Sequence, residues 1–177
     1  MLRVPAMTAL IIINYVLQTT VWQEMAILGV TPDTALIFIV SYGMMRGEIE
    51  GALFGLGAGF LMDLFGGVYV GVYALLGFLV GYISGKPFRD FFKDNFFLPF
   101  FIVLFATVLY QLALYVINFM FRGQLDFWFY VHSIILPTTV YTAVLAIPLY
   151  SLLHFFNRII EEFENSRRQM FEEKDDD

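Results

Sequence analysis

Residues 47–67 read GEIEGALFGLGAGFLMDLFGG, and this stretch decides how the chain folds. Glycine stands at every fourth position, at 47, 51, 55 and 59, and the next step of four falls on Asp63. Four residues turn an α-helix by about 400°, so these positions share one slowly winding face. Because lipid gives no hydrophobic gain for helix pairing, membrane helices associate closely through such small residues. The pattern predicts a tight contact with a second helix.

The next segment supplies that second helix, because glycine recurs there at 67, 71, 77, 81 and 85. We predict a glycine-rich central hairpin whose helix-packing or partner-interface residues are Gly47, Gly51, Gly55, Gly59, Asp63, Gly67, Gly71, Gly77 and Gly81. Asp63 follows the glycine face and so points away from lipid, where a charged side chain costs roughly 2.5–3.5 kcal/mol. Two roles stay open for Asp63: a cap on the following turn, or a polar anchor for a partner or substrate.

The composition is that of a multi-pass membrane protein. Hydrophobic residues make up 59% of the 177 residues and charged residues 15%, and the mean hydropathy is +0.74. The absence of cysteine excludes disulfides and thiolate metal sites. Much of the net charge of −6 lies in the terminal EEKDDD. No basic face is present, so we expect no nucleic-acid partner.

Six apolar segments separated by short polar breaks predict an all-α integral membrane protein with six transmembrane helices. If the N-terminus is cytoplasmic, nine of the ten basic residues fall on the cytoplasmic side and only Arg122 lies outside. This distribution follows the positive-inside rule. We therefore predict a six-helix transmembrane domain over residues 1–156 and a cytoplasmic C-terminal tail over 157–177, with both termini in the cytoplasm.

Polar residues within the apolar segments predict hydrogen bonds between helices. Asn14 and Gln18 are one helical turn apart, and Asn118 follows Gln111 by seven residues. Such bonds are worth roughly 0.6–2 kcal/mol each, and a ligand pocket is the alternative interpretation. The sequence has no HExxH motif, no phosphate-binding loop and no paired Ser and His. We therefore expect no catalytic residue, no metal and no cofactor, and we do not expect an enzyme.

Three stretches in order resemble the rod shape-determining protein MreD family. They are LQTTVW at 17–22, TPDTALIFIV at 31–40 and MRGEIEGALFGLGAGFLMDLFGGVYVGVYALLGFLVGYISGK at 45–86. The last is the most specific, because it joins a basic-glycine turn, a glycine-spaced helix ending in Leu-x-Asp-x-x-x-Gly, and a later Gly-Tyr. The resemblance covers most of 14–86, and no motif is found from residue 96 onward.

The resemblance implies a non-enzymatic multi-pass protein of the bacterial cytoplasmic (inner) membrane. Such a protein binds MreC and works in the cell-elongation machinery (the elongasome) with MreB, RodA and its transpeptidase, helping to organise sidewall peptidoglycan synthesis and cell shape. The resemblance also implies a fold similar to the substrate-binding subunits of energy-coupling-factor transporters. The alternative function is therefore a substrate-binding membrane subunit of a vitamin transporter. The short outer loops favour the first function, because a vitamin site needs a lidded cavity.

Overall fold

The computed structural model describes residues 3–24, 26, 29–65, 71–86, 98–122 and 126–175, and most of these are helical, with no β-strand among them. The six main helices are α1 (Arg3–Val16), α2 (Thr34–Arg46), α3 (Glu48–Phe65), α4 (Val72–Gly85), α5 (Leu98–Arg122) and α6 (Leu136–Asp175). A π-helical turn, Leu17–Val21, joins α1 to the short helix Trp22–Glu24, and a second, Val131–Ile135, joins the short helix Phe127–Tyr130 to α6.

One end of the bundle brings together basic side chains and the ends of several helices. Arg46, the last residue of α2, donates a hydrogen bond from Nε to Oδ1 of Asn157 in α6, at 2.7 Å. Gly85, the last residue of α4, lies against the backbone at Gly47, where α3 begins. We call this end, which also holds Lys86, the basic end.

The opposite end holds the N-termini of α2 and α4. Gln18, just beyond α1, and Thr142 of α6 bond to the backbone around the start of α2. Asp63, near the end of α3, bonds to the backbone of α4. We call this the capped end, defined by Gln18, Asp33, Asp63 and Thr142. Since α1 ends, α2 begins, α3 ends and α4 begins here, these four helices alternate in direction.

The most enclosed helix is α2, which lies at the centre of the bundle. We had predicted a glycine-rich hairpin, now α3 and α4, at the centre. Leu36, Ile37 and Val40 have no exposed surface. Phe38 and Ile39 pack with α1, α3 and α6, while other α2 side chains pack with α4, α5 and α6. A helix of 13 residues is about 20 Å long, against roughly 30 Å of hydrocarbon in a bilayer. Its short length is compatible with a membrane because protein, not lipid, surrounds it.

Helices α3 and α4 touch backbone to backbone at glycine positions. A Cβ atom added to Gly55 would overlap the carbonyl group of Gly77, and a Cβ added to Gly77 would overlap the carbonyl of Gly55. Four residues forward along α3 correspond to four residues back along α4. The paired positions are Gly51 with Gly81, Gly55 with Gly77, and Gly59 with Tyr73. Any larger side chain at the middle pair would push the two backbones apart.

Helix α2 joins this contact through Gly43. A Cβ on Gly51 would lie 2.6 Å from Cα of Gly43 and 2.7 Å from the carbonyl oxygen of Gly81. A Cβ on Gly43 would lie 2.9 Å from that same carbonyl oxygen. Three helices therefore meet at three glycines, one from each. This junction encloses the last turns of α2 next to the basic end.

Two stretches of helix among the described residues are long and apolar enough to cross a membrane, Pro99–Phe119 and Phe127–Arg158. The apolar stretches Met7–Val21, Thr34–Arg46 and Val72–Gly85 are shorter. Six crossings therefore remain a prediction. Helix α6 has 40 residues and continues unbroken through the predicted domain boundary at 156–157.

Exchanging Gly55 for alanine tests the backbone contact, with Gly57 as the matched control on the same helix. The added methyl at position 55 meets a carbonyl group, whereas at position 57 it meets only the Cδ1 end of Ile11, at 3.0 Å. We expect Gly55→Ala to destabilise the protein by about 1–3 kcal/mol through overpacking. Gly57→Ala should be neutral or stabilising by up to about 1 kcal/mol through helix propensity. Thermal unfolding in detergent measures both, and equal stability of the two variants would contradict the contact.

Candidate functional site

Asp63 caps α4 from the neighbouring helix. Its Oδ1 accepts a hydrogen bond from the N–H of Tyr73, at 3.1 Å, and its Oδ2 accepts one from the N–H of Ala74, at 2.8 Å. These groups belong to the first turn of α4, where N–H groups have no partner within the helix. Gly71 precedes that turn with φ +94° and supplies no capping side chain. Asp63, which is 3% exposed, performs that role and places negative charge at the positive end of the helix dipole.

Gln18 supports the start of α2 in a similar way. Its Nε2 donates to the carbonyl oxygen of Pro32, at 3.0 Å, and its Oε1 accepts from the N–H of Thr34, at 2.9 Å. The Thr34 hydroxyl also donates to the same Oε1. Gln18 lies in the π-helical turn Leu17–Val21 that follows α1. The side-chain amide of Gln18 thus forms hydrogen bonds with backbone groups on both sides of the start of α2.

Asp33 and Thr142 complete this cap. The N–H of Asp33 donates to Oγ1 of Thr142 in α6, at 2.9 Å. Oδ1 of Asp33 accepts from the N–H of Leu36, at 3.2 Å. Neither residue was among those predicted from the sequence. An Asp directly before an apolar helix is a recognised N-cap signal, but Thr142 is 109 residues away along the chain and nothing in the sequence links it to α2.

The other polar residues predicted to bond between helices have different surroundings. Nδ2 of Asn118 donates to the carbonyl oxygen of Leu114 in its own helix, at 2.8 Å. Asn14 is 2% exposed and Gln111 is 8% exposed. Oδ1 of Asn14 has no hydrogen-bond partner among the described residues. Gln18 is thus the member of this set whose bonds connect one helix to the segment that begins another.

The glycines named in the sequence analysis divide into two kinds. Gly47 and Gly71 stand in turns with φ +99° and +94°, and an added Cβ there would meet nothing within 4 Å. Gly67 lies outside the described residues. The glycines buried in the α3–α4 contact are Gly51, Gly55, Gly59, Gly77 and Gly81. Their contacts lie within the chain, so they stabilise the arrangement of α3 and α4 and present little surface to a partner.

The chemistry available at the capped end is hydrogen bonding to backbone. Both carboxylate oxygens of Asp63 accept hydrogen bonds from backbone N–H groups. Among the described residues, no group of three His, Asp or Glu side chains is placed to hold a metal ion. The arrangement is suited to fixing helix positions.

A comparison with profiles of protein families assigns the chain to a family. The family profile described as rod shape-determining protein MreD matches residues 1–160. The chain belongs to the MreD family. This match confirms the resemblance first seen in the motifs of residues 17–86, and it extends the assignment to α5 and most of α6. MreD proteins are shape-determining membrane components and do not form a known enzyme family. Comparison with curated proteins and with solved structures finds no significant match.

The cap on α4 can be tested by replacing Asp63 in this MreD family member. Asp63→Ala removes both acceptors, so we expect a loss of about 0.5–2 kcal/mol, typical of a lost N-cap. Asp63→Asn keeps one acceptor and should lie between Asp63→Ala and the parent. Hydrogen exchange at the amides of Tyr73 and Ala74 reports the effect directly, since those two N–H groups lose their partners.

Asp126 supplies the control for this substitution. It also precedes a helix, but its side chain makes no capping hydrogen bond. Asp126→Ala should leave the exchange of the α4 amides unchanged. Unchanged exchange at Tyr73 and Ala74 in Asp63→Ala would contradict the capping role.

Proposed function

We propose that this protein is a non-enzymatic, multi-pass component of the cell-elongation machinery in the bacterial cytoplasmic membrane. In this proposal it binds MreC and works beside MreB, RodA and its transpeptidase to organise sidewall peptidoglycan synthesis and cell shape. The observation that carries the proposal is the family match over residues 1–160. The polar side chains of the capped end bond to backbone, which agrees with a structural role for this site.

We also propose six membrane crossings with both termini in the cytoplasm. Supporting this orientation, Arg46 and Lys86 lie at the basic end, and the start of α1 lies there too, since Met7 packs close to Met45 and Arg46. Basic residues concentrate on the cytoplasmic side of membrane proteins. The capped end then faces outward. The caps provided by Gln18 and Asp63 supply hydrogen-bond partners for the N-termini of two helices too short to reach the headgroups.

The vitamin-transporter alternative receives little support from two cavities in the described part of the chain. A small-molecule site needs several polar groups that converge on the ligand. The larger cavity, about 440 Å³, lies between α4 and α5, and nine of its eleven lining residues are apolar. The smaller cavity, beside Arg46 and Asn157 at the basic end, holds only about 20 Å³. Neither has the size and polarity that a vitamin requires.

Depletion in a rod-shaped host, combined with affinity purification, tests the proposed function. We expect depleted cells to become wide or round, and we expect MreC to co-purify with the tagged protein from detergent extracts. The variant Gly57→Ala, which leaves the helix contact intact, should restore rod shape and retain MreC. Normal rods after complete loss, together with a defect in vitamin uptake, would contradict the proposal and support a transporter subunit.

A further inference from the structure

A crevice of about 440 Å³ separates α4 from α5 on the outside of the bundle. Its rim is formed by large apolar side chains such as Leu79, which is 43% exposed, and Phe105, which is 66% exposed. Its floor includes Val80 and Ala106, which pack against the core around α2. The small side chain of Ala106 gives the crevice depth. The feature is therefore a concave slot, not a convex apolar stripe like those on the other helices.

The two walls of the crevice run antiparallel. Near the capped end, the rings of Tyr73 in α4 and Tyr110 in α5 are 6.4 Å apart. Towards the basic end, the walls are Ile83 and Phe101, near the end of α4 and the start of α5. The slot therefore runs along the bundle in the direction that a lipid chain takes in a bilayer.

The lining offers almost nothing to a polar ligand. Of the lining residues, only Ser84 and Tyr110 carry polar side-chain atoms. The Ser84 hydroxyl donates to the carbonyl oxygen of Gly81, at 3.2 Å, and is 3% exposed as a residue. A hydrogen-bonding ligand would have to leave most of its polar groups unpaired, at a cost in free energy. The apolar lining of the slot therefore favours a hydrocarbon ligand.

A cation stands at one end of this apolar slot. Lys86 directly follows the last residue of α4 and is exposed, with Nζ 4.5 Å from the centroid of the Tyr82 ring. Ile83, which lines the slot, stands three residues before Lys86 in the last turn of α4. The dipole of α5 adds to this charge, because its positive end also lies at the basic end. An amphiphile with an apolar chain and a negative head matches both features.

The crevice, at about 440 Å³, is large enough to hold a single hydrocarbon chain. A slot left empty in the membrane would lose the dispersion contacts of its walls. A flexible chain restores those contacts.

We propose that this crevice binds one acyl chain of an anionic phospholipid, whose phosphate headgroup lies at Lys86. The proposal requires the bundle to lie in a bilayer but does not depend on MreC binding. The bound lipid fills the gap between α4 and α5 and so links the glycine-packed pair to the long helices.

Lipid retention by the purified full-length chain tests the proposal. The protein is reconstituted in vesicles of equal parts phosphatidylglycerol and phosphatidylethanolamine with identical acyl chains, extracted in mild detergent and analysed by native mass spectrometry. We expect one retained phosphatidylglycerol per chain, favoured over phosphatidylethanolamine by about fivefold, the effect of one lysine at an anionic surface. No retained lipid, or equal retention of both lipids, would overturn the proposal.

Three variants locate the bound lipid. Leu79→Trp narrows the slot and should remove most of the retained lipid. Leu75→Trp is the matched control, because Leu75 is exposed one turn away on the same helix but lies outside the slot. Lys86→Gln, at the exposed end of the helix, should keep a bound lipid but lose the preference for phosphatidylglycerol.

Two results would contradict this location. Retention by Leu79→Trp equal to that of the Leu75→Trp control, with both monodisperse, would place the lipid elsewhere. Cross-linking of Leu79→Cys to a second copy or to another membrane protein in native membranes would show that protein, not lipid, occupies the slot.

Discussion

The structure depends on one constraint, the backbone contact between α3 and α4. Because Gly55 and Gly77 each lack a Cβ, the two helices approach until carbonyl groups meet the facing backbone. That approach brings Asp63, two turns further along α3, to the first N–H groups of α4. It also sets Gly51 and Gly81 beside Gly43, which encloses the end of α2. If the two backbones separated by the width of a methyl group, the cap and the three-helix junction would both be lost.

Short helices inside a membrane protein create a second requirement, which the caps meet. An unpaired N–H group away from water costs free energy, and lipid offers no replacement acceptor. Helices α2 and α4 have 13 and 14 residues, fewer than the roughly 20 that span a bilayer. Their first N–H groups are therefore satisfied by protein side chains, those of Gln18, Asp33 and Thr142 for α2 and that of Asp63 for α4. Polar residues that would suggest a ligand pocket in another setting serve here to cap the starts of two short helices.

The local features of this fold could be predicted from sequence, while the long-range ones could not. Glycine spacing of four identified the close-packed face of α3, and motif order identified the family. The placement of α2 at the centre, however, depends on how six helices pack. All six have similarly apolar sequences, so their composition does not show which one is central. The pairing of Thr142 with Asp33 joins positions 109 residues apart, and no local pattern reports it. Asn118 shows a further limit, since a half-buried amide on a helix can bond within its own helix, as Asn118 does to Leu114.

A double-mutant cycle on Gly55 and Gly77 tests the central constraint most directly. If these two glycines form a single contact, the first alanine already separates the helices, and the second then adds little. The free energy of unfolding, measured in detergent for both single variants and for Gly55→Ala/Gly77→Ala, should therefore show a coupling of about 1 kcal/mol or more, because residues in contact deviate from additivity. Effects that add within about 0.5 kcal/mol, as for distant independent sites, would contradict a shared backbone contact.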